Sequence, residues 1–184
     1  MSSPIKKWSK EFDAMTKILL GDINTIQSQL DSKDSQDLRR SYARALFAYI
    51  EATNYLIREF VILFNDPDTE TNKLLRKRKP LSESFELSLD TFAWTGYTDG
   101  YFPNKKSKHW NNFESTIKIR NRIVHPKSVK DLTITNREMT KIKGVFIWYC
   151  GQISDLFKKV SHGHQRMLIA MNDNWIKQKP KLKN

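Results

Sequence analysis

Apolar residues recur at steps of three or four along most of the chain. Ile5, Trp8, Phe12, Met15, Leu19, Ile23, Ile26 and Leu30 make one such stripe, about seven helical turns long. The pattern predicts a first long helix over residues 5–30. Residues 31–37 carry no apolar side chain and read as a polar turn. A second long helix is expected from about 35 to 65, with Leu38, Tyr42, Ala45, Tyr49, Ala52, Leu56, Phe60 and Leu63 on its apolar face. Asn65-Asp66-Pro67-Asp68 stops it, because proline cannot continue the hydrogen-bond ladder. A basic run follows over residues 73–79. Pro80 suits the first position of a third helix bearing Leu81, Phe85, Leu89 and Phe92.

From 93 to 108 the period is lost. Two glycines, a proline, four aromatics and three lysines stand here, and a long loop is expected. Trp110, Phe113, Ile117 and Val124 then mark the inner face of a fourth helix over 108–125, ended by Pro126. The connection through Leu132 and Ile134 reads as extended. Thr135-Asn136-Arg137-Glu138 has the form of a capping box, with Thr and Glu satisfying each other's backbone N–H. The fifth helix behind it carries Met139, Ile142, Phe146, Tyr149, Ile153, Leu156 and Val160, and Ser161-His162-Gly163 ends it. A weaker helix is expected over 165–176. No segment alternates with the period of a strand. The fold class is therefore all-α, a bundle of about five helices. It forms a single domain over residues 1–176 with a basic tail at 177–184.

Charge changes the picture. Lys and Arg number 32 against 20 Asp and Glu, a net charge of +12. Such a field favours polyanionic partners, and RNA leads among them. The single cysteine, Cys150, rules out an internal disulfide and sits in an apolar stretch as a core residue would. The N-terminus lacks the apolar run of a signal peptide, and no stretch approaches the ~20 apolar residues of a membrane span. A cytoplasmic location without membrane attachment is expected.

Several kinds of site are missing. The six glycines are scattered and build no phosphate loop. There is no Cys ligand pair, and His162-x-His164 lacks a third ligand, so it reads as a solvated turn. No cofactor is expected. What remains is Arg120-Asn121-Arg122-Ile123-Val124-His125-Pro126. Asn121 and His125 share one helix face, and Arg120 flanks it at about 140°. Pro126 disfavours helical backbone at His125. Histidine titrates nearest neutrality and can take or give a proton. Arginine holds a phosphate through paired N–H donors, and asparagine can orient either group. This is the equipment for cutting RNA at a 2′-hydroxyl. The same spacing also suits an exposed, basic helix end capped by a histidine.

Arg-x-x-x-x-His closing a late helix, with Asn after the Arg, resembles the HEPN superfamily signature. The second helix, from Arg39-Arg40-Ser41-Tyr42 through Glu51-Ala52-Thr53-Asn54, looks like that superfamily's other core helix. The likeness spans residues 35–160. It implies a HEPN-like helical bundle and a metal-independent endoribonuclease, of the kind found among toxins, abortive-infection proteins of antiviral defence and CRISPR effector nucleases. It implies Arg120 and His125 as catalytic residues, Asn121 as supporting, and a homodimer in which two motifs line one cleft. Glu51 is a further supporting candidate, placed mid-helix where a carboxylate could meet the arginine. Toxins silenced by a nucleotidyltransferase partner carry Tyr two residues after the His. Lys127 stands there in this chain, which puts that partnership in doubt while leaving room for another antitoxin or for a guide or regulatory RNA.

RNA contacts are expected from Lys105, Lys106, Lys108, Arg122 and Lys127. The Trp94–Lys108 loop mixes aromatics with lysines, as surfaces that stack unpaired bases do, although its aromatics suit a roof over the core equally well. Two other readings stay open: a non-catalytic helical subunit that binds RNA or protein, and a DNA-binding bundle.

Overall fold

The computed structural model of the protein describes residues 4–65 and 69–178. Among the described residues six α-helices follow one another: α1 Pro4–Ser32, α2 Gln36–Phe64, α3 Glu70–Arg76, α4 Leu81–Thr95, α5 Lys108–Val124 and α6 Asn136–Gln178. A 3-10 turn at Val129–Leu132 lies between the last two. No strand occurs among the described residues, and the fold is all-α.

Helix α2 is the axis of the bundle. Ser35 opens it, its hydroxyl accepting from the Leu38 N–H, and Asp37 stands in the first turn, where a negative charge meets the helix dipole favourably. Tyr42, Leu46, Ile50, Ile57 and Val61 are buried along it. α1 lies against its length, fastened where the Trp8 indole donates to the Leu56 carbonyl at 2.7 Å. α4, α5 and α6 cover the other sides. Phe85 of α4, Phe113 of α5 and Tyr149 of α6 meet in one aromatic cluster, with Phe85 and Phe113 edge to face at 5.4 Å. The Tyr149 hydroxyl donates to the Ile50 carbonyl at 3.2 Å. Truncating a fully buried ring such as Phe113 costs about 3–5 kcal/mol, so α5 is held firmly by its inner face.

The structure departs from expectation at several points. α6 does not stop at Ser161-His162-Gly163; it runs unbroken to Gln178, so the separate weak helix over 165–176 is part of α6. Gly163 is buried, and a Cβ there would strike the Gly96 carbonyl oxygen; the residue is small because a neighbour is close. The 129–132 segment is a 3-10 turn rather than extended. Part of the basic run after Asn65 forms the short helix α3, which buries only Asn72 and Leu75. Pro80 sits at the N-cap of α4, one place before its first turn. Val124 and Leu63 face outward, 39% and 51% exposed. On α5 the buried face runs through Ile119 and Ile123 instead. Residues 66–68 of the expected stop and 179–184 of the expected tail lie outside the described residues.

Candidate active site

α5 carries the Arg-Asn…His motif on its outward side. Ser107 caps its start, accepting from the Trp110 N–H at 3.1 Å. Trp110, Phe113, Thr116, Ile119 and Ile123 anchor the inner face. Arg120 is left half-buried, and Asn121 and His125 are exposed. His125 is the C-cap, with φ −124° and ψ 62°. Its backbone has left helical geometry before Pro126, as a pre-proline residue tends to, while its N–H still donates to the Asn121 carbonyl at 2.9 Å.

The connection after the motif is tied down by the first turns of α2. Arg44 donates to the Ile123 carbonyl at 3.4 Å, Arg40 to that of Leu132 at 3.0 Å and Arg39 to that of Ile134 at 2.7 Å. Gln36 exchanges two hydrogen bonds with the Ile134 backbone. The Thr135–Glu138 capping box forms as the sequence predicts. Burial alone would raise the Glu138 carboxyl. Hydrogen bonds from the Thr135 amide and hydroxyl, with the Arg122 guanidinium, outweigh this and hold it below its ordinary range.

Arg120 is aimed rather than free. One terminal nitrogen, Nη2, donates to Glu51 Oε1 at 2.6 Å, and the other, Nη1, to Asn121 Oδ1 at 3.1 Å. Glu51, from the middle of α2, thus meets the arginine. A guanidinium has five N–H donors; two are engaged, and three remain to hold an anion. Glu51 and Arg120 keep 42% and 28% of their side-chain surface exposed, so the ion pair contributes at most about 1 kcal/mol to stability. Its effect is to fix the direction of the guanidinium. Both residues line a cleft of about 350 Å³. The His125 imidazole makes no hydrogen bond or ion pair among the described residues and does not line that cleft. It stands about 7.5 Å further along the helix axis, at 1.5 Å per residue. One chain therefore joins Arg120, Asn121 and Glu51 and leaves His125 at the edge.

The basic candidates differ in freedom. Arg122 is occupied, donating to Glu138 at 3.1 Å and to the Thr133 carbonyl at 3.0 Å. Lys127 is exposed beside the motif, its backbone held by the Asp131 carboxylate. Lys105 pairs with Glu86 at 2.7 Å. Lys106 and Lys108 are exposed and have no carboxylate within ion-pair distance among the described residues. The preceding loop is shorter than expected, because residues 93–95 still belong to α4. Tyr101 of the loop packs on the core, whereas Trp94 at the end of α4 and Tyr97 and Phe102 of the loop are more than 60% exposed and available for stacking. This surface lies at the opposite end of α5, about 18 Å from Arg120.

Burial pushes the Cys150 thiol up, as suits a core cysteine. His162 and His164 lie inside α6 instead of on a solvated turn. At about 200° apart on the helix they do not converge, and His164 packs edge-on against Tyr97. No group of three His, Cys, Asp or Glu could hold a metal ion among the described residues. No described helix is long and apolar enough to cross a membrane.

The motif did not reveal Asn54, Arg58 and Ser84, which also line the cleft. The signal available was Glu51, Asn54 and Arg58 at steps of three and four on α2, a polar stripe on a helix otherwise given to the core. Family models, curated proteins and solved structures provide no match to the chain. The resemblance to the HEPN superfamily rests on the sequence alone, on Arg120, Asn121 and His125 and on the second helix.

Proposed function

We propose that the protein is a HEPN-type endoribonuclease, acting as a homodimer in antiviral defence or as a toxin. The observation that carries this reading is the aimed Arg120, held by Glu51 and Asn121 at the mouth of a basic cleft. An exposed histidine ends the same helix. In the proposed reaction a 2′-hydroxyl loses its proton to a base and its oxygen bonds to the adjacent phosphorus. The P–O5′ bond breaks, and the leaving 5′-oxygen takes a proton from an acid. The products are a 2′,3′-cyclic phosphate and a 5′-hydroxyl. Arg120 holds the charged phosphoryl oxygens. His125 supplies one proton transfer, and a second chain's His125 supplies the other, so the dimer completes the site. Val124 and Val129, exposed on either side of His125, give that contact apolar surface.

The test is incubation with a labelled single-stranded RNA and with DNA of the same sequence, both in chelator. Cutting of RNA alone, with cyclic phosphate ends, is expected. RNA cutting that stops when metal is removed rejects the mechanism, and activity from a strict monomer in light scattering rejects the shared site. A second reading, a non-catalytic RNA- or protein-binding subunit, has one observation in its favour: no partner among the described residues orients the His125 imidazole.

Glu51→Gln checks the aiming of Arg120. A surface pair of this exposure should cost no more than about 4 °C in melting temperature. The cleavage rate should fall about ten- to hundredfold, because a misplaced clamp is poorly matched to the transition state. Equal losses of folding and rate would show that the pair is structural only.

Charge reversal at Lys105, Lys106 and Lys108 should weaken RNA binding more than the same change at Lys181 and Lys183. The slope of log affinity against log salt should drop by about 0.7 for each phosphate no longer neutralised. Equal losses from both sets would leave the loop without a role in binding.

A further inference from the structure

The cleft beside Arg120 is built from three separate stretches of chain, and its composition is unusual for the interior side of a bundle. Arg58 of α2, Arg78 and Lys79 of the α3–α4 connection, and Arg120 of α5 all line it, against one carboxylate, Glu51. Glu51 already answers Arg120. Arg58, Arg78 and Lys79 have no carboxylate within ion-pair distance among the described residues. Like charges gathered around one concavity repel, and the arrangement is relieved when an anion enters. The cleft also adjoins the start of α4, whose N-cap is Pro80 and which has no side-chain cap. Its first N–H groups are left for an outside acceptor, and phosphates occupy such positions readily.

Two buried side chains at the floor add a second requirement. Asn54, 4% exposed, donates through Nδ2 to Ser84 Oγ at 3.0 Å. Arg58 donates to the same oxygen at 3.4 Å. Ser84 thus accepts twice, and its own proton is free to donate. Asn54 Oδ1 has no hydrogen-bond partner and is buried, a state that costs free energy until a donor reaches it. A ligand that satisfies this floor must bring a donor as well as an anion. A nucleotide of RNA has both, a phosphate and a ribose hydroxyl or base amino group.

We infer that this cleft is a nucleotide subsite that holds the residue of single-stranded RNA next to the one cut. Arg58, Arg78 and Lys79 bind its phosphate, and the Asn54–Ser84 pair meets its hydroxyl or amino group. The assignment rests on the endoribonuclease reading of Arg120 and His125, and it adds a strand path from the motif toward α4.

The experiment measures anisotropy of a labelled single-stranded RNA on full-length His125→Ala protein over a range of salt. Compared with it are the double variant Arg78→Gln/Lys79→Gln, the single variant Arg58→Gln and, as a control of equal charge change, Lys10→Gln/Lys17→Gln on α1. Melting curves accompany each. Arg78 and Lys79 precede α4 and make no hydrogen bond or ion pair among the described residues, so folding should survive their loss. The cleft double variant should bind about tenfold more weakly, the effect of losing hydrogen bonds to a charged group. Its salt slope should fall by about 1.4, two phosphates at about 0.7 each. The control should change affinity by less than about twofold. Equal losses from cleft and control overturn the subsite. Adenosine monophosphate is tested as competitor; if it binds in a cleft-dependent way while RNA binding ignores the cleft, the ligand is a free nucleotide and the RNA subsite is overturned. Wild-type cleavage of the same RNA separates the two ideas. Cleavage with cleft-independent binding sinks the subsite and leaves the nuclease. Cleft-dependent binding without cleavage sinks the nuclease and with it the subsite's place beside a cut, and leaves the cleft as an RNA-binding site alone.

Discussion

Replacing His125 with alanine is expected to slow RNA cleavage by about 10²–10⁴-fold, the range for removal of a proton-transfer group. RNA affinity should hardly change. Both halves follow from where the residue stands. His125 is exposed, and its imidazole makes no hydrogen bond or ion pair among the described residues, so truncation leaves no buried group unsatisfied. The structural work at this position is done by its backbone N–H, which closes the last turn of α5 on the Asn121 carbonyl and survives the change. Stability should therefore stay within about 0.5 kcal/mol of wild type. A large rate loss in a protein that folds and binds normally would place the chemistry on the side chain.

Arg120→Ala should cost a comparable factor, because it leaves developing phosphoryl charge unmatched. It differs from His125→Ala in a measurable way: it also frees the Glu51 carboxylate in a cleft meant for anions, so RNA affinity should fall too. The decisive comparison is wild type against His125→Ala on one labelled RNA in chelator. Equal cutting by the two proteins would trace the activity to a contaminant or another site.

The sequence made the helices legible because most of them bury one stripe. The faces of α1, α2, α4 and α6 follow apolar steps of three and four that need no knowledge of partners. The stripe failed at its ends. Val124 continues the spacing of Ile117, yet the inner face of α5 follows Trp110, Phe113, Thr116, Ile119 and Ile123, and a polar threonine hides that path. The short helix α3 has no such signal, because two buried residues make no period. The motif was legible as chemistry, since Arg120, Asn121 and His125 are neighbours in sequence. Its surroundings were not. Glu51 could be suspected from its place on α2, but Arg58, Arg78 and Ser84 reach the cleft from segments whose meeting only the tertiary fold decides. No spacing in the sequence announces the work of Arg39, Arg40 and Arg44; in the structure they donate to carbonyls on either side of the motif's end and along the 125–136 connection.

Gly163 is the plainest case of a residue whose sequence meaning and structural meaning differ, and its replacement is expected to have a large effect on stability. Glycine after a helical stripe ordinarily marks a helix end. In this protein α6 passes through it, and the loop after α4 crosses the helix at that point. A Cβ on Gly163 would overlap the Gly96 carbonyl oxygen and come within 2.7 Å of Thr98 Cγ2. A Cβ on Gly96 would in turn meet Val160 Cα at 2.6 Å. Gly96 has φ −89°, open to any residue, so lack of space rather than backbone conformation selects glycine on both sides. Gly163→Ala is therefore expected to cost about 3 kcal/mol, the upper part of the range for overpacking against backbone that cannot withdraw. That corresponds to roughly 6–12 °C in melting temperature for a chain of this size. The same substitution at Gly144 or Gly151, also in α6 but with nothing within 4 Å of a Cβ, should go the other way. Alanine there removes chain entropy from the unfolded state and stabilises by about 0.5–1 kcal/mol. Thermal melts of the three single variants check the contrast. If Gly163→Ala melts no lower than wild type, the crossing of the loop over α6 is not as close as described. The crossing also matters for binding, because the loop that it seats carries Tyr97, Phe102, Lys105 and Lys106. Gly163→Ala should weaken RNA affinity together with stability, whereas Gly144→Ala and Gly151→Ala should leave affinity unchanged.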